Sequence, residues 1–113
     1  MTEKKPNIWL VEDDEYLRKS YASIVNASER FVVTHTFRTG EEILRALVKN
    51  TDPRPEIILM DIELPHMNGV KCTERIKEKY HDITVIMVTV YDDSDLVFDS
   101  LRAGASGYVT KSA

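Results

Sequence analysis

Ile57-Ile58-Leu59-Met60-Asp61-Ile62-Glu63-Leu64-Pro65-His66-Met67-Asn68-Gly69 is the stretch on which the fold turns. Its first four residues form an unbroken apolar run, as in a central parallel strand covered on both faces, where a half-wet strand would alternate. The run stops at a single carboxylate, Asp61. Pro65 and Gly69 then shape a loop, after which Val70, Thr73, Ile76 and Tyr80 take up helical spacing. Strand, acid, short loop and helix make one unit, and the flanking sequence repeats it.

Upstream, Asn7-Ile8-Trp9-Leu10-Val11 is a run of strand formers that halts at Glu12-Asp13-Asp14. From Glu15, the residues Leu17, Tyr21, Ile24 and Val25 fall at i, i+4, i+7 and i+8, an amphipathic helix reaching about Ser28. Phe31 to Phe37 alternates and is β-branched, a second strand. Gly40 marks the turn and Thr39 caps a helix with Ile43, Leu44, Leu47 and Val48 on one face, ended by Asn50, Pro53 and Pro55. Downstream, Ile83 to Val88 is a fourth strand ending at Thr89. Asp92 to Ala103 is a fourth helix, with Val97, Phe98, Leu101 and Ala105 on or just beyond its inward stripe. Gly104 and Gly107 break it before the fifth strand, Tyr108-Val109-Thr110, which Lys111 follows. Strands alternating with helices predict an α/β fold, a five-stranded parallel sheet with helices on both faces, because parallel neighbours need crossover connections.

At 113 residues the chain has room for one domain and one core. Fifteen basic against nineteen acidic residues, a net charge of -4, is the wrong balance for sequence-independent binding of nucleic acid or anionic lipid. The lone Cys72 forms no internal disulfide or thiolate cluster, which suits a reducing cytoplasm. The N-terminal segment lacks the apolar stretch of a signal peptide, and no run approaches the ~20 apolar residues of a membrane span. A soluble, cytoplasmic protein is expected.

In parallel α/β sheets, ligands bind at the carboxyl ends of the strands. Glu12 and Asp13 end strand one, Asp61 strand three, Thr89 strand four and Lys111 strand five, so the fold is expected to gather them on one edge. Three carboxylates so placed repel one another unless a cation or raised pKa values relieve them. Without imidazole or thiolate partners, hard oxygen ligands point to Mg²⁺. Lys111 supplies positive charge for an anion and Thr89 a hydroxyl donor, parts that suit phosphoryl transfer, with Asp61 the candidate nucleophile.

Val11-Glu12-Asp13-Asp14, the stretch Met60 to Gly69, Val88-Thr89, and Gly104-Ala105-Ser106-Gly107-Tyr108-Val109-Thr110-Lys111 occur in that order. Together they resemble the response-regulator receiver domains of two-component signalling. The resemblance implies a doubly wound, flavodoxin-like (CheY-like) sheet of strand order 2-1-3-4-5, with residues 1–113 forming one receiver domain. It implies a phosphoacceptor that assists its own phosphorylation and dephosphorylation and is not otherwise an enzyme. Asp61 would accept a phosphoryl group from a histidine kinase. Glu12 and Asp13 would hold Mg²⁺, directly or through water, with Asp61 and the backbone carbonyl of Glu63 as further ligands. Lys111 would pair with the phosphoryl group or the carboxylate, Thr89 would bond the phosphoryl group, and Tyr108 would be the aromatic whose burial accompanies activation. Phosphorylation would shift a two-state equilibrium around the fourth helix and fifth strand and pass to an effector domain or downstream protein. Transcription is the expected output, because Ser112 in place of the common Pro resembles receivers attached to helix-turn-helix regulators. No cis peptide is then expected after Lys111. The family continues past this chain's Ala113 into a fifth helix that covers the sheet, so either a truncated receiver or an apolar face covered by another chain, as in a homodimer, is expected.

Val90 follows Thr89 where the family usually carries Ala, Gly or Ser. A branched side chain there would hinder water or the donor and slow phosphoryl turnover; alternatively, it only extends the strand. Tyr91 lies close enough to modulate access too. A rival from another class is a Mg²⁺-dependent aspartyl phosphatase, with Glu63 as the second carboxylate two residues past the nucleophile, but loops this short build no cap domain. A pure interaction module is opposed by intact Asp61, Thr89 and Lys111, and a flavin site by the acidic loop after strand one. Asp14 and Glu15 read as first-turn helix acids, Asp14 also as a neighbour of the metal pair. His35, His66 and His81 read as surface or loop residues, Trp9 as core and Cys72 as a small buried side chain.

Overall fold

The apolar runs pair because each lies between crossover helices long enough to return the chain in the same direction. In the computed structural model, which describes residues 4–49, 54–91 and 93–111, the order is β1 (Asn7–Val11), α1 (Glu15–Ala27), β2 (Val32–Phe37), α2 (Gly40–Lys49), β3 (Ile57–Asp61), α3 (Gly69–Lys79), β4 (Thr84–Thr89), α4 (Ser94–Ala103) and β5 (Gly107–Thr110). All strand pairs are parallel, in the order β2-β1-β3-β4-β5, as expected. The register sets Met60 beside Val11 and Met87, Asp61 beside Val88 and Thr89 beside Thr110, so the strands finish at nearly the same level.

Short polar side chains set the helix starts. Asp14 accepts the Leu17 N–H at 2.9 Å, Thr39 the Glu42 N–H at 3.1 Å and Asn68 the Lys71 N–H at 2.9 Å. Asp14 is therefore the cap of α1, and Glu15 pairs with Lys19 at 3.0 Å along its first turn. The fourth helix begins at Ser94 with Asp93 as its cap; Asp92 lies outside the described residues, as do Asn50, Pro53 and Ser112 with the expectations placed on them. Gly104 ends α4 at φ +112°, a left-handed conformation that a Cβ would strain. Gly69 is needed for space instead. A Cβ there would stand 2.1 Å from the Asp61 carbonyl oxygen, so only glycine lets α3 start against the end of β3.

The core lies on one face of the sheet. Val11, Ile58, Met60, Val85 and Met87 pack there with Ile43 and Leu47 of α2 and with Cys72 and Ile76 of α3. Trp9 belongs to this core, and Cys72 is fully buried. The opposite face differs from the expectation of strands covered on both sides: Ile57, Leu59, Ile86 and Val88 are only half-buried. Leu59, Ile86 and Val88 border, with Leu10, Val109 and α1 residues Tyr21, Ile24 and Val25, a groove of about 300 Å³. Among the described helices α1 alone flanks this groove, and none of its side chains is fully buried.

Two predicted helix faces are also corrected. Phe98 and Leu101 of α4 are 65% and 49% exposed, while Leu96 meets the core and Ser100 is buried. At about 100° per residue, Leu96 and Ser100 share one side of α4 while Phe98 and Leu101 lie on the roughly opposite side, so the inward face is the one with the smaller total apolar bulk. Val48 on α2 is likewise exposed, whereas Ile43 and Leu47 are not. Tyr80, placed on the third helix, is its C-cap. No helix among the described residues is long and apolar enough to cross a membrane.

Candidate functional site

Asp61 is the last residue of β3, and the strand carries its side chain to the sheet edge where β1 also ends. Glu12 follows β1 and is fixed there by its N–H, which donates to the Phe37 carbonyl at 3.0 Å, and by its carboxylate, which accepts the Asp14 N–H at 3.1 Å. Arg18 ties the same turn down, donating to the Glu12 carbonyl at 2.9 Å. Glu12 and Asp61 are each 2% exposed, while Asp13 stands in solvent beside them. One oxygen from each of these three carboxylates lies within 4.8 Å of the others.

Lys111, just past β5, reaches across the sheet edge to both buried acids. Its ammonium stands 2.8 Å from Glu12 Oε1 and 3.1 Å from Asp61 Oδ1. Its backbone N–H donates to the Thr89 carbonyl at 2.6 Å, which anchors the lysine to the end of β4. Asp61 Oδ1 also accepts the Glu63 N–H at 3.2 Å. The balance leaves Asp61 reluctant to ionise: burial first, and the Glu12 charge second, push its carboxyl up to about 7 against the pull of Lys111 and the Glu63 N–H. Burial works to lower the Lys111 ammonium, but its bonds and charge attraction to Glu12 and Asp61 hold it above its ordinary value.

Thr89, fully buried at the end of β4, donates its hydroxyl proton to Glu63 Oε2 at 2.6 Å. The Thr89 hydroxyl oxygen accepts the Tyr91 N–H at 3.2 Å, and the Tyr91 carbonyl accepts the Tyr108 hydroxyl at 2.9 Å. Val90 and Tyr91 are both exposed, and because β4 stops at Thr89, Val90 does not extend the strand.

The fold thus brings Glu12, Asp13, Asp61, Glu63, Thr89 and Lys111 to one edge, with Val90, Tyr91 and Tyr108 on its flank. The Glu63 side chain on Thr89 is the contact the sequence alone does not foretell; its signal is an acid two residues past Asp61. Among the described residues no histidine joins a cluster of metal-ligating groups. Hard carboxylate oxygens, with a single ammonium for three acids, form a donor set that fits a divalent cation bound through oxygen.

A family model of the response regulator receiver domain matches residues 8–113. The transcriptional regulatory protein LnrK of Bacillus subtilis (strain 168) is 36% identical over 104 residues, which are 92% of this chain and 46% of LnrK. The chain spans about half the length of the curated relatives it matches. Among solved structures, a LuxR-family two-component response regulator from Aurantimonas sp. SI85-9A1 superposes with a TM-score of 0.88 at 28% identity, over 97% of this chain and 76% of that one. A chain of the CheX-CheY-BeF3-Mg²⁺ complex from Borrelia burgdorferi gives 0.85 at 29% identity, over 96% and 79%.

Proposed function

The chain belongs to the response regulator receiver family, and from that premise we propose that it is a phosphorylation switch in which Asp61 accepts a phosphoryl group from a histidine kinase. The observation that carries the reading is the setting of Asp61: buried at the end of β3, bonded by Lys111 and the Glu63 N–H, and facing two further carboxylates.

In the transfer, an ionised Asp61 oxygen attacks the phosphorus of the donor phosphohistidine, the P–N bond breaks with its electron pair, and the departing imidazole takes a proton from solvent. Asp61 is left as an acyl phosphate. Lys111, already 3.1 Å from Asp61, follows the new charge onto the phosphoryl oxygens. Thr89 offers its hydroxyl to the same group. Glu12, Asp13, Asp61 and the Glu63 carbonyl would hold Mg²⁺, which when bound supplies positive charge against the acids and the phosphoryl oxygens. Tyr108, tied through its hydroxyl to the Tyr91 carbonyl, would carry the change to β5 and α4. Residues 1–113 act as one receiver, in the cytoplasm with its donor, and an effector domain or partner protein that controls transcription reads the change, with a homodimer as one form of output.

Intact mass after incubation with acetyl phosphate and Mg²⁺ tests this. One phosphoryl adduct is expected, absent from Asp61→Asn and from a chelated sample; no adduct on folded protein would end the acceptor reading. Val90 and Tyr91 flank the approach, so loss of the adduct is expected to be several-fold faster in Val90→Ala. An unchanged rate would remove Val90 from the mechanism.

A further inference from the structure

The Glu63–Thr89 bond joins two strand ends that are 26 residues apart, and neither the metal cluster nor the acceptor step uses it. A threonine hydroxyl has one proton to give. At 2.6 Å, the short separation of a charge-assisted bond, that proton is committed to Glu63. A lone pair of the same hydroxyl holds the Tyr91 N–H, and Tyr91 in turn holds the Tyr108 hydroxyl. A continuous line of hydrogen bonds therefore runs from the Glu63 carboxylate through Thr89 and Tyr91 to Tyr108. Its first residue also touches the acceptor, because the Glu63 N–H donates to Asp61 Oδ1.

We infer that the Glu63 carboxylate is the resting-state partner of Thr89, a positioning residue that a phosphoryl group on Asp61 must displace before Thr89 can turn to it. The inference rests on Asp61 being the acceptor. Two features make the two partners of Thr89 mutually exclusive. They compete for one proton, and a phosphoryl group carrying nearly two negative charges repels a carboxylate on the adjoining turn. Glu63 thus lowers the apparent affinity of the pocket for a phosphoryl group by the stability of the bond it makes. Its release frees the end of the line that reaches Tyr108.

Beryllofluoride, a stable mimic of a phosphoryl group, can be titrated at fixed Mg²⁺ while the Tyr91 amide is followed by ¹H–¹⁵N NMR. Glu63→Ala is expected to lower the midpoint about five- to tenfold, the equivalent of one hydrogen bond. Glu63→Gln keeps an acceptor oxygen without the charge and should give a smaller drop. In a Thr89→Ala background, Glu63→Ala should give a clearly smaller drop, since only charge repulsion is then relieved and the pair no longer exists to be broken. An unchanged beryllofluoride midpoint, or a gain of equal size without Thr89, would overturn the inference. A parent chain that binds no beryllofluoride at all would instead remove the acceptor reading, and this inference with it.

Discussion

A carboxyl held up to about 7 by burial and by Glu12 makes Asp61 a conditional acid, and its effect on stability has a defined sign. Because the folded value lies above the ordinary one, the native chain keeps this proton longer than the unfolded chain. The associated stability is complete at low pH and is lost as pH rises from about 4 through about 7. Asp61→Asn escapes that loss. Without divalent cation, urea unfolding should find the variant more stable than the parent by about 1–3 kcal/mol at pH 8, a gap that narrows toward pH 5 and closes only below about pH 4. A gap constant across that range would mean that Glu12 and burial do not oppose ionisation of Asp61. Strand ends are legible in a sequence, which is why Glu12, Asp13, Asp61 and Lys111 can be picked out from the order of residues alone. The rotamer of Glu63 is not legible there, because its partner sits on another strand and only the assembled sheet brings them within bonding distance.

Helices show where such reading stops. The start of α2 can be seen in Thr39, a short polar side chain before a periodic run, and the structure adds Asp14, Asn68 and Asp93 on the same principle. The inward stripe of α4 is misjudged from sequence, since Phe98 and Leu101 carry the larger apolar side chains yet Leu96 and Ser100 face inward. Hydrophobic size is a poor guide where a helix packs closely through small residues. The junction of β3 and α3 carries a sharper prediction. Gly69→Ala would press a Cβ against the Asp61 carbonyl oxygen, which belongs to a central strand and cannot yield. A loss of more than about 2 kcal/mol is expected in urea unfolding. Gly40→Ala, which meets first the Cys72 side chain at 3.1 Å, should cost less. Equal losses at the two glycines would contradict the crowding at Gly69.

Across the whole molecule, the sheet is two different surfaces. Met60 and Leu59 are neighbours on β3, one wholly buried against α2 and α3, the other half-open on the side of α1. Met60→Ala is expected to cost about 2–5 kcal/mol and Leu59→Ala about 1 kcal/mol in urea unfolding of this 113-residue chain. Similar losses would mean that the second face is as well covered as the first. Alternation of strand and helix is enough to predict a parallel sheet. The strand order comes from family resemblance, because periodicity carries no information about which strand lies beside which.

The ion pair between Lys111 and Glu12 closes a separation of 99 residues, nearly the length of the chain. The two ends of that loop cannot meet until the sheet between them is complete, and its closure is entropically expensive in an open chain. The charge balance of this edge is therefore acquired late and all at once. While the ribosome still holds the segment that bears Lys111, Glu12 and Asp61 stand without the cation that pairs them, and a chain that later frays at β5 gives that cation up before it is fully unfolded.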